Sequence, residues 1–272
     1  MARPSADDNR PRKKKAKKKS GSGILPIVLL GGAILAAIGV VGAGVHWAMN
    51  RSKLYRGNTL TPVEIMGVTN QEDQLFVSKN NLRQIGLALN NYHDMWNTIP
   101  PASIASADGT IQLTPGFAIL PFLDNAKLYN QVVAAGGMSS PQNQALLSQP
   151  LFYWKSPAAS HDATGPDAHF AWNSNVFKPE KTMQMSDIKD GWTNTLAIGE
   201  VMAGFKPWYA ADNTRDPSLG FGATPEKFGG PFSGGVHFIT MDGSVKFISD
   251  KIDPQVLKAI STPNGGETVA PF

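Results

Sequence analysis

Along the sequence, imidazole and carboxylate residues form one cluster, His161, Asp162, Asp167 and His169. Histidine is the commonest metal ligand where thiolates are lacking, so this is the first place to look for a metal. The intervening "DATGPDA" matches no ligand spacing, and no His-Glu-x-x-His occurs. The cluster reads as a solvated loop. A second set, Asp187, Asp190, Glu200 and Asp242, offers oxygen donors for a hard cation such as calcium. No stretch has the alternating acidic spacing of a calcium loop, and Asp108-Gly109, Asp190-Gly191 and Asp242-Gly243 are first of all turn formers. Nucleophilic hydrolysis finds no Gly-x-Ser-x-Gly elbow and no Ser-x-x-Lys serine in an activating setting, and phosphate transfer finds no glycine-rich loop after a strand. The chain has no cysteine, which removes disulfides, thiolate catalysis and zinc-thiolate sites. Trp154, Trp172, Trp192 and Trp208 lie in loop-rich stretches, where they either line a carbohydrate or peptide groove or pin the loops; pinning is the preferred reading. His93 reads as a rim or capping residue. No catalytic residue, metal or cofactor is expected.

The elements that position these residues follow from periodicity. Thr69 and Glu72 have capping-box spacing, and Leu75, Leu82, Ile85, Leu89, Tyr92 and Trp96 then predict a long amphipathic helix, ended by Pro100 and Pro101. A shorter helix is predicted over about Asp124 to Ala135. Loops with short strands follow from Ser139 to about Lys181. "TNTLAIGEVM" alternates towards a strand. "GGVHFITMDGSVKFI" predicts a hairpin with a two-residue type I′ loop at Asp242-Gly243, pairing Thr240 with Val245 and Phe238 with Phe247. Asp253 and Pro254 open a last helix. A long helix followed by antiparallel strands implies an α+β domain.

Charge is unevenly spread over the 272 residues. Residues 1–23 hold nine Lys and Arg against Asp7 and Asp8, whereas the remainder holds sixteen against nineteen Asp and Glu. The basic stretch has no large apolar residue to pack, so it reads as a disordered tail, and a nucleic-acid partner is excluded because the rest is mildly acidic. Residues 24–49 carry no formal charge and exceed the roughly 20 residues that cross a bilayer. They read as a transmembrane helix with a cytoplasmic N-terminus, by the excess of basic residues before it. A cleaved signal peptide ending at Val41-Gly42-Ala43 is the competing reading; the length of the apolar run favours the anchor. Residues 50–69 read as a tether and 70–272 as an exported, periplasmic domain.

Four phrases in order resemble one family: "KNNLRQIGLALNNYHDMWNTIPPA", "GFAILPFLDNAKLYNQ", "DIKDGWTNTLAIGE" and "GGVHFITMDGSVKFISDKIDPQVLKAISTPNGGE". The chain resembles the prepilin-like proteins of planctomycetes, or type II secretion G-like pseudopilins, with a solute-binding-like domain of unknown function. The resemblance implies a pilin-like fold, a long amphipathic helix packed on an antiparallel β-sheet, with no established enzymatic activity. It singles out Asn81, Pro100, Pro101, Asp190, Gly191, Asn194, Gly199, Glu200, Gly234, Gly235, Asp242 and Gly243. This chain departs from the pattern in having no glutamate within residues 24–49, Phe232 where the family has histidine, and Lys155 where it has cysteine. The function expected is a membrane-anchored, exported structural or interaction protein, with a solute- or glycan-binding module as the alternative. The partners expected are membrane lipid, a second copy through the transmembrane helix, and other cell-envelope proteins.

Overall fold

The structure is a computed structural model that describes residues 70–159 and 164–267. Its longest helix, α1 (Gln71–Trp96), begins at Asn70, whose side chain accepts the Asp73 N–H at 2.8 Å while its amide donates back to the Asp73 carboxylate. The reciprocal cap thus sits one residue beyond the Thr69–Glu72 pair expected to form it, Thr69 itself lying outside the described residues. At the other end Asn97 takes φ 52° and its N–H returns to the His93 carbonyl at 2.7 Å. Leu82, Ile85, Ala88 and Leu89 face inward from α1.

Short segments follow: strands β1 (Ile104–Ala105) and β2 (Ile111–Leu113), helices α2 (Pro115–Ala118), α3 (Ala126–Ala134) and α4 (Gln144–Leu147), then strands β3 (Asp167–Ala168) and β4 (Phe170–Asn173). The chain continues through β5 (Leu196–Glu200), β6 (Lys206–Pro207), β7 (Thr214–Arg215), β8 (Gly235–Thr240), β9 (Val245–Ser249) and helix α5 (Pro254–Ser261). The main sheet has the order β7-β4-β5-β8-β9, and β1-β2 and β3-β6 form two small separate sheets.

Two apolar clusters account for the burial of β4, β5 and β8 along their whole lengths. On one face Phe170, Trp172, Ile198, Ile239 and Met241 pack with Leu82, Ile85 and Leu89 of α1. On the other, Ala171, Leu196, Val236, Phe238 and Ile248 pack with Phe228 and with Leu257 and Ile260 of α5. Period-2 alternation therefore sorts side chains between two apolar layers. Backbones approach closely where glycine allows it. A Cβ on Gly199 would lie 2.3 Å from the Phe238 ring, and one on Gly86 would lie 3.0 Å from Ile239 and 3.2 Å from Gly243.

The expected fold is corrected in three respects. One helix on one antiparallel sheet does not describe the molecule, which has several sheets and a mixed α and β content, and the main sheet is covered on both faces. β7 also pairs with β4 in parallel, Trp172 beside Thr214 and Asn173 beside Arg215, after a long connection that local pattern does not announce. The membrane helix expected over residues 24–49, with its flanking tail and tether, lies outside the described residues; among those described, no helix is long and apolar enough to cross a membrane.

The hairpin register is also corrected. Ile239 pairs with Val245 and His237 with Phe247, one residue out of the expected alignment. A type I′ loop needs positive φ at both central residues, but here only Gly243 has it, at 84°. The loop accordingly runs over Met241, Asp242 and Gly243, closed by the Thr240 N–H on the Ser244 carbonyl at 2.9 Å. Phe238 therefore turns to the α5 side, fully buried, and Phe247 stays 46% exposed.

Arg215 fastens the edge of the main sheet. Its guanidinium is buried and donates to four backbone carbonyls: Thr224 at 3.2 Å, Lys227, Ala203 at 2.5 Å and Gly204 at 3.0 Å. Burial lowers its pKa to about 10, partly opposed by Glu226, so it stays charged at neutral pH. Replacing Arg215 with Met strands these carbonyls, at a cost of about 2–4 kcal/mol. Urea unfolding of Arg215→Met should show that loss, and Arg215→Lys should recover only part of it because an ammonium lacks the planar fork.

Candidate functional site

Where β5 ends, Glu200 is fully buried, and α1, β5 and β8 converge on its carboxylate. Ser78 of α1 donates its hydroxyl to Oε1 at 2.9 Å. His237 of β8 gives its backbone N–H to Oε2 at 2.9 Å, and its Nδ1 lies 3.0 Å from the same oxygen. The backbone N–H and Nδ1 of one residue thus meet the same carboxylate oxygen. Phe232 stands edge-on to the His237 ring at 5.7 Å and Phe247 lies at 4.8 Å. The backbone completes the enclosure: Gly229 donates to the Glu200 carbonyl at 2.9 Å, and a Cβ on Gly230 would reach within 2.9 Å of the carboxylate.

Serine, histidine and acid are thus brought together, but in an order that does not activate a nucleophile. In acyl transfer the imidazole stands between hydroxyl and carboxylate and takes the hydroxyl proton. Here the carboxylate stands in the middle, and Ser78 is buried with its proton directed at an acceptor that is already shared. What the arrangement does is tie three elements together through a satisfied buried charge.

The other singled-out carboxylates are dispersed. Asp190 accepts the N–H groups of Gly265 at 2.7 Å and Gly266 at 2.8 Å, holding the segment after α5. The N–H of Lys189 donates to Pro263 at 2.8 Å, and Asn194 bonds the Asp190 carbonyl at 3.1 Å. Gly191, at φ 92°, makes the turn between them. Asp187 caps the backbone of Gln184 at 2.9 Å. Asp242 accepts from the Thr240 hydroxyl at 2.5 Å and from the N–H and hydroxyl of Ser244 at 3.0 and 2.9 Å. It is therefore the turn residue of the hairpin, and Asn90 of α1 bonds its carbonyl at 3.1 Å. Among the described residues no group of three His, Asp or Glu side chains is placed to hold a metal ion.

Further family-motif positions are structural in their contacts. Asn81 donates to the Phe152 and Lys155 carbonyls at 3.2 and 2.8 Å, joining α1 to that turn. Pro100 and Pro101 are buried beyond the end of α1. Gly234 turns the chain into β8 at φ 91°, and a Cβ on Gly235 would lie 2.2 Å from the Ile248 carbonyl. Lys155 is buried with its ammonium on the Gly165 and Asp167 carbonyls at 2.9 and 2.5 Å. His161 and Asp162 lie outside the described residues, while His169 is buried with Nδ1 bonded to the Ser156 backbone. His93 sits edge-on to Trp192 at 6.2 Å. Of the loop tryptophans, Trp154, Trp172 and Trp208 are buried in the core and only Trp192 is exposed.

The Ser78–Glu200–His237 union was not read from the sequence. Its members lie 122 and 37 residues apart, and no local spacing marks them as partners.

Residues 77–165 match the family model described as a protein of unknown function (DUF1559). That stretch covers most of α1 and the chain through α4 and the Lys155 turn. The match carries a domain of unknown function and no pilin or pseudopilin assignment. No curated protein and no solved structure matches the chain.

Glu200→Gln keeps a carbonyl oxygen for His237 but turns an amide N–H₂ towards Ser78, reversing that hydrogen bond and weakening the two from His237 by removing the charge, a cost of about 1–3 kcal/mol, whereas Ser78→Ala removes one donor and should cost about 1 kcal/mol. Chemical denaturation ranks the two; a larger loss for Ser78→Ala contradicts the central place given to the carboxylate. Asp242 yields a pH dependence. Burial pushes its carboxyl up, but the hydrogen bonds from Thr240 and Ser244 and the charge of Lys246 outweigh this and leave the pKa lowered. A lowered folded-state pKa gives stability that is present above the unfolded value of about 3.9 and lost as pH falls through the folded one. Acid titration of melting temperature should show this loss below about pH 4, reduced in Asp242→Asn.

Proposed function

We propose that this chain is a non-catalytic interaction protein whose working surface is the outer stripe of α1. The observation that carries the reading is the exposure of Phe76 at 71% and Leu87 at 53% on that helix. Positions 76, 83 and 87 fall on one side of an α-helix, so these apolar side chains share a stripe with the exposed Arg83. Apolar surface of this kind beside charge is what a protein partner covers. The polar clusters support the same reading, since Glu200, Asp190, Asp242 and Arg215 are engaged in holding the fold. The burial of Trp154, Trp172 and Trp208 weighs against a solute or glycan groove lined by these rings. The cell-envelope location, outside the cytoplasm, belongs to the same proposal and rests on the charge asymmetry of the N-terminal sequence.

A photo-reactive amino acid placed at Phe76 or Leu87 of the full chain, in the expressing cell, should give discrete protein adducts. The same label at the exposed Lys251, near the far end of β9, should give none. Phe76→Asp should cut adduct yield at Leu87 about tenfold, as loss of an anchor does. Equal labelling from all three sites removes α1 as the working surface.

A further inference from the structure

We infer that the outer stripe of α1 is self-complementary and docks a second copy of this chain in antiparallel orientation, about a two-fold axis at the level of Val77 and Ser78. The inference rests on the reading of this stripe as the working surface and names the partner. Glu72, Phe76, Lys79 and Arg83 recur at four, three and four residues, the spacing that lines the seam of a left-handed helix pair. With Leu75 and Asn80 they border one shallow recess. In an antiparallel pair about that axis, Glu72 lies opposite Arg83 of the second copy and Phe76 opposite its Lys79, and the two-fold makes each contact twice.

The order acid, aromatic, base, base is complementary to its own reverse. Glu72 and Arg83 then form ion pairs at both ends of the seam, and each Lys79 lays its stem and charge against a Phe76 ring. Other occupants satisfy only part of the pattern. An acidic peptide or an anionic lipid surface suits Lys79 and Arg83 but meets Glu72 with like charge, and a basic partner has the opposite conflict. Among the described residues Glu72, Lys79 and Arg83 have no ion-pair partner, so their charges are available to a second molecule. Phe76, at 71% the most exposed large apolar side chain among the described residues, stands in the middle of the seam.

The test is a charge exchange in the purified full-length chain, read by sedimentation over a range of concentrations. The natural chain should dimerise. Glu72→Lys alone places Lys opposite Arg, Arg83→Glu alone places Glu opposite Glu, and each should weaken the dimer about tenfold or more. An equimolar mixture of the two variants restores both pairs and should dimerise as tightly as the natural chain. Both positions are exposed, so the variants should keep the far-UV circular dichroism of the natural chain. A monomeric natural chain, single variants that dimerise unchanged, or a mixture that stays apart each overturns the inference. If self-docking fails while photo-adducts to other proteins persist at Phe76, the interaction reading survives with a different partner; if the adducts are also lost, both readings fall.

Discussion

A carboxylate taken wholly out of water must be given donors, or its desolvation costs several kcal/mol, and Glu200 is the point at which this fold meets that requirement. Its donors come from α1 and β8, so the side chain sets how the helix lies on the sheet and how β5 lies against the hairpin. A small displacement of α1 along its axis separates Ser78 from Oε1. The same contact region has little slack elsewhere, because Gly86 brings α1 onto Ile239 and Gly243, and Gly199 admits the Phe238 ring.

The remaining ionised groups extend the principle to the loops. A chain without disulfides and with long irregular stretches must hold loop backbone by other means, and here charged side chains do so by capturing it. Arg215 gathers the carbonyls of two loops, Lys155 gathers those on either side of Pro166, and Asp190 gathers the N–H groups after α5. Each charge is placed where two or more backbone dipoles converge, a geometry that stabilises an ion without an opposite charge, and Arg215 and Lys155 are buried in it. Residue types that suggest chemistry in the sequence are thereby engaged in architecture.

How much of this could be read beforehand depended on the range of each interaction. The long helix was legible because its apolar residues recur every three or four positions over many turns, and its end was legible because Pro100 and Pro101 cannot continue it. The hairpin was legible as a hairpin from Asp242-Gly243, but its register was not, because two- and three-residue loops share that dipeptide and differ only in whether Asp242 also adopts positive φ. Composition favours Trp154, Trp172, Trp192 and Trp208 as pins for the loops; three of them lie in the core, and Trp192 is exposed. The parallel β7 and the second covered face of the sheet were invisible, since a two-residue strand has no period.

The sequence by itself determined local features: the helix length, the turn sites, the first helix cap to within one residue, and the charge asymmetry of its N-terminal part. These depend on neighbours within a few positions, where backbone stereochemistry and side-chain spacing act alone. Only the tertiary structure decided which polar groups meet. Ser78, Glu200 and His237 become partners because α1, β5 and β8 fold onto one another, and a hydrogen bond across 122 residues leaves no periodic trace in the chain that forms it.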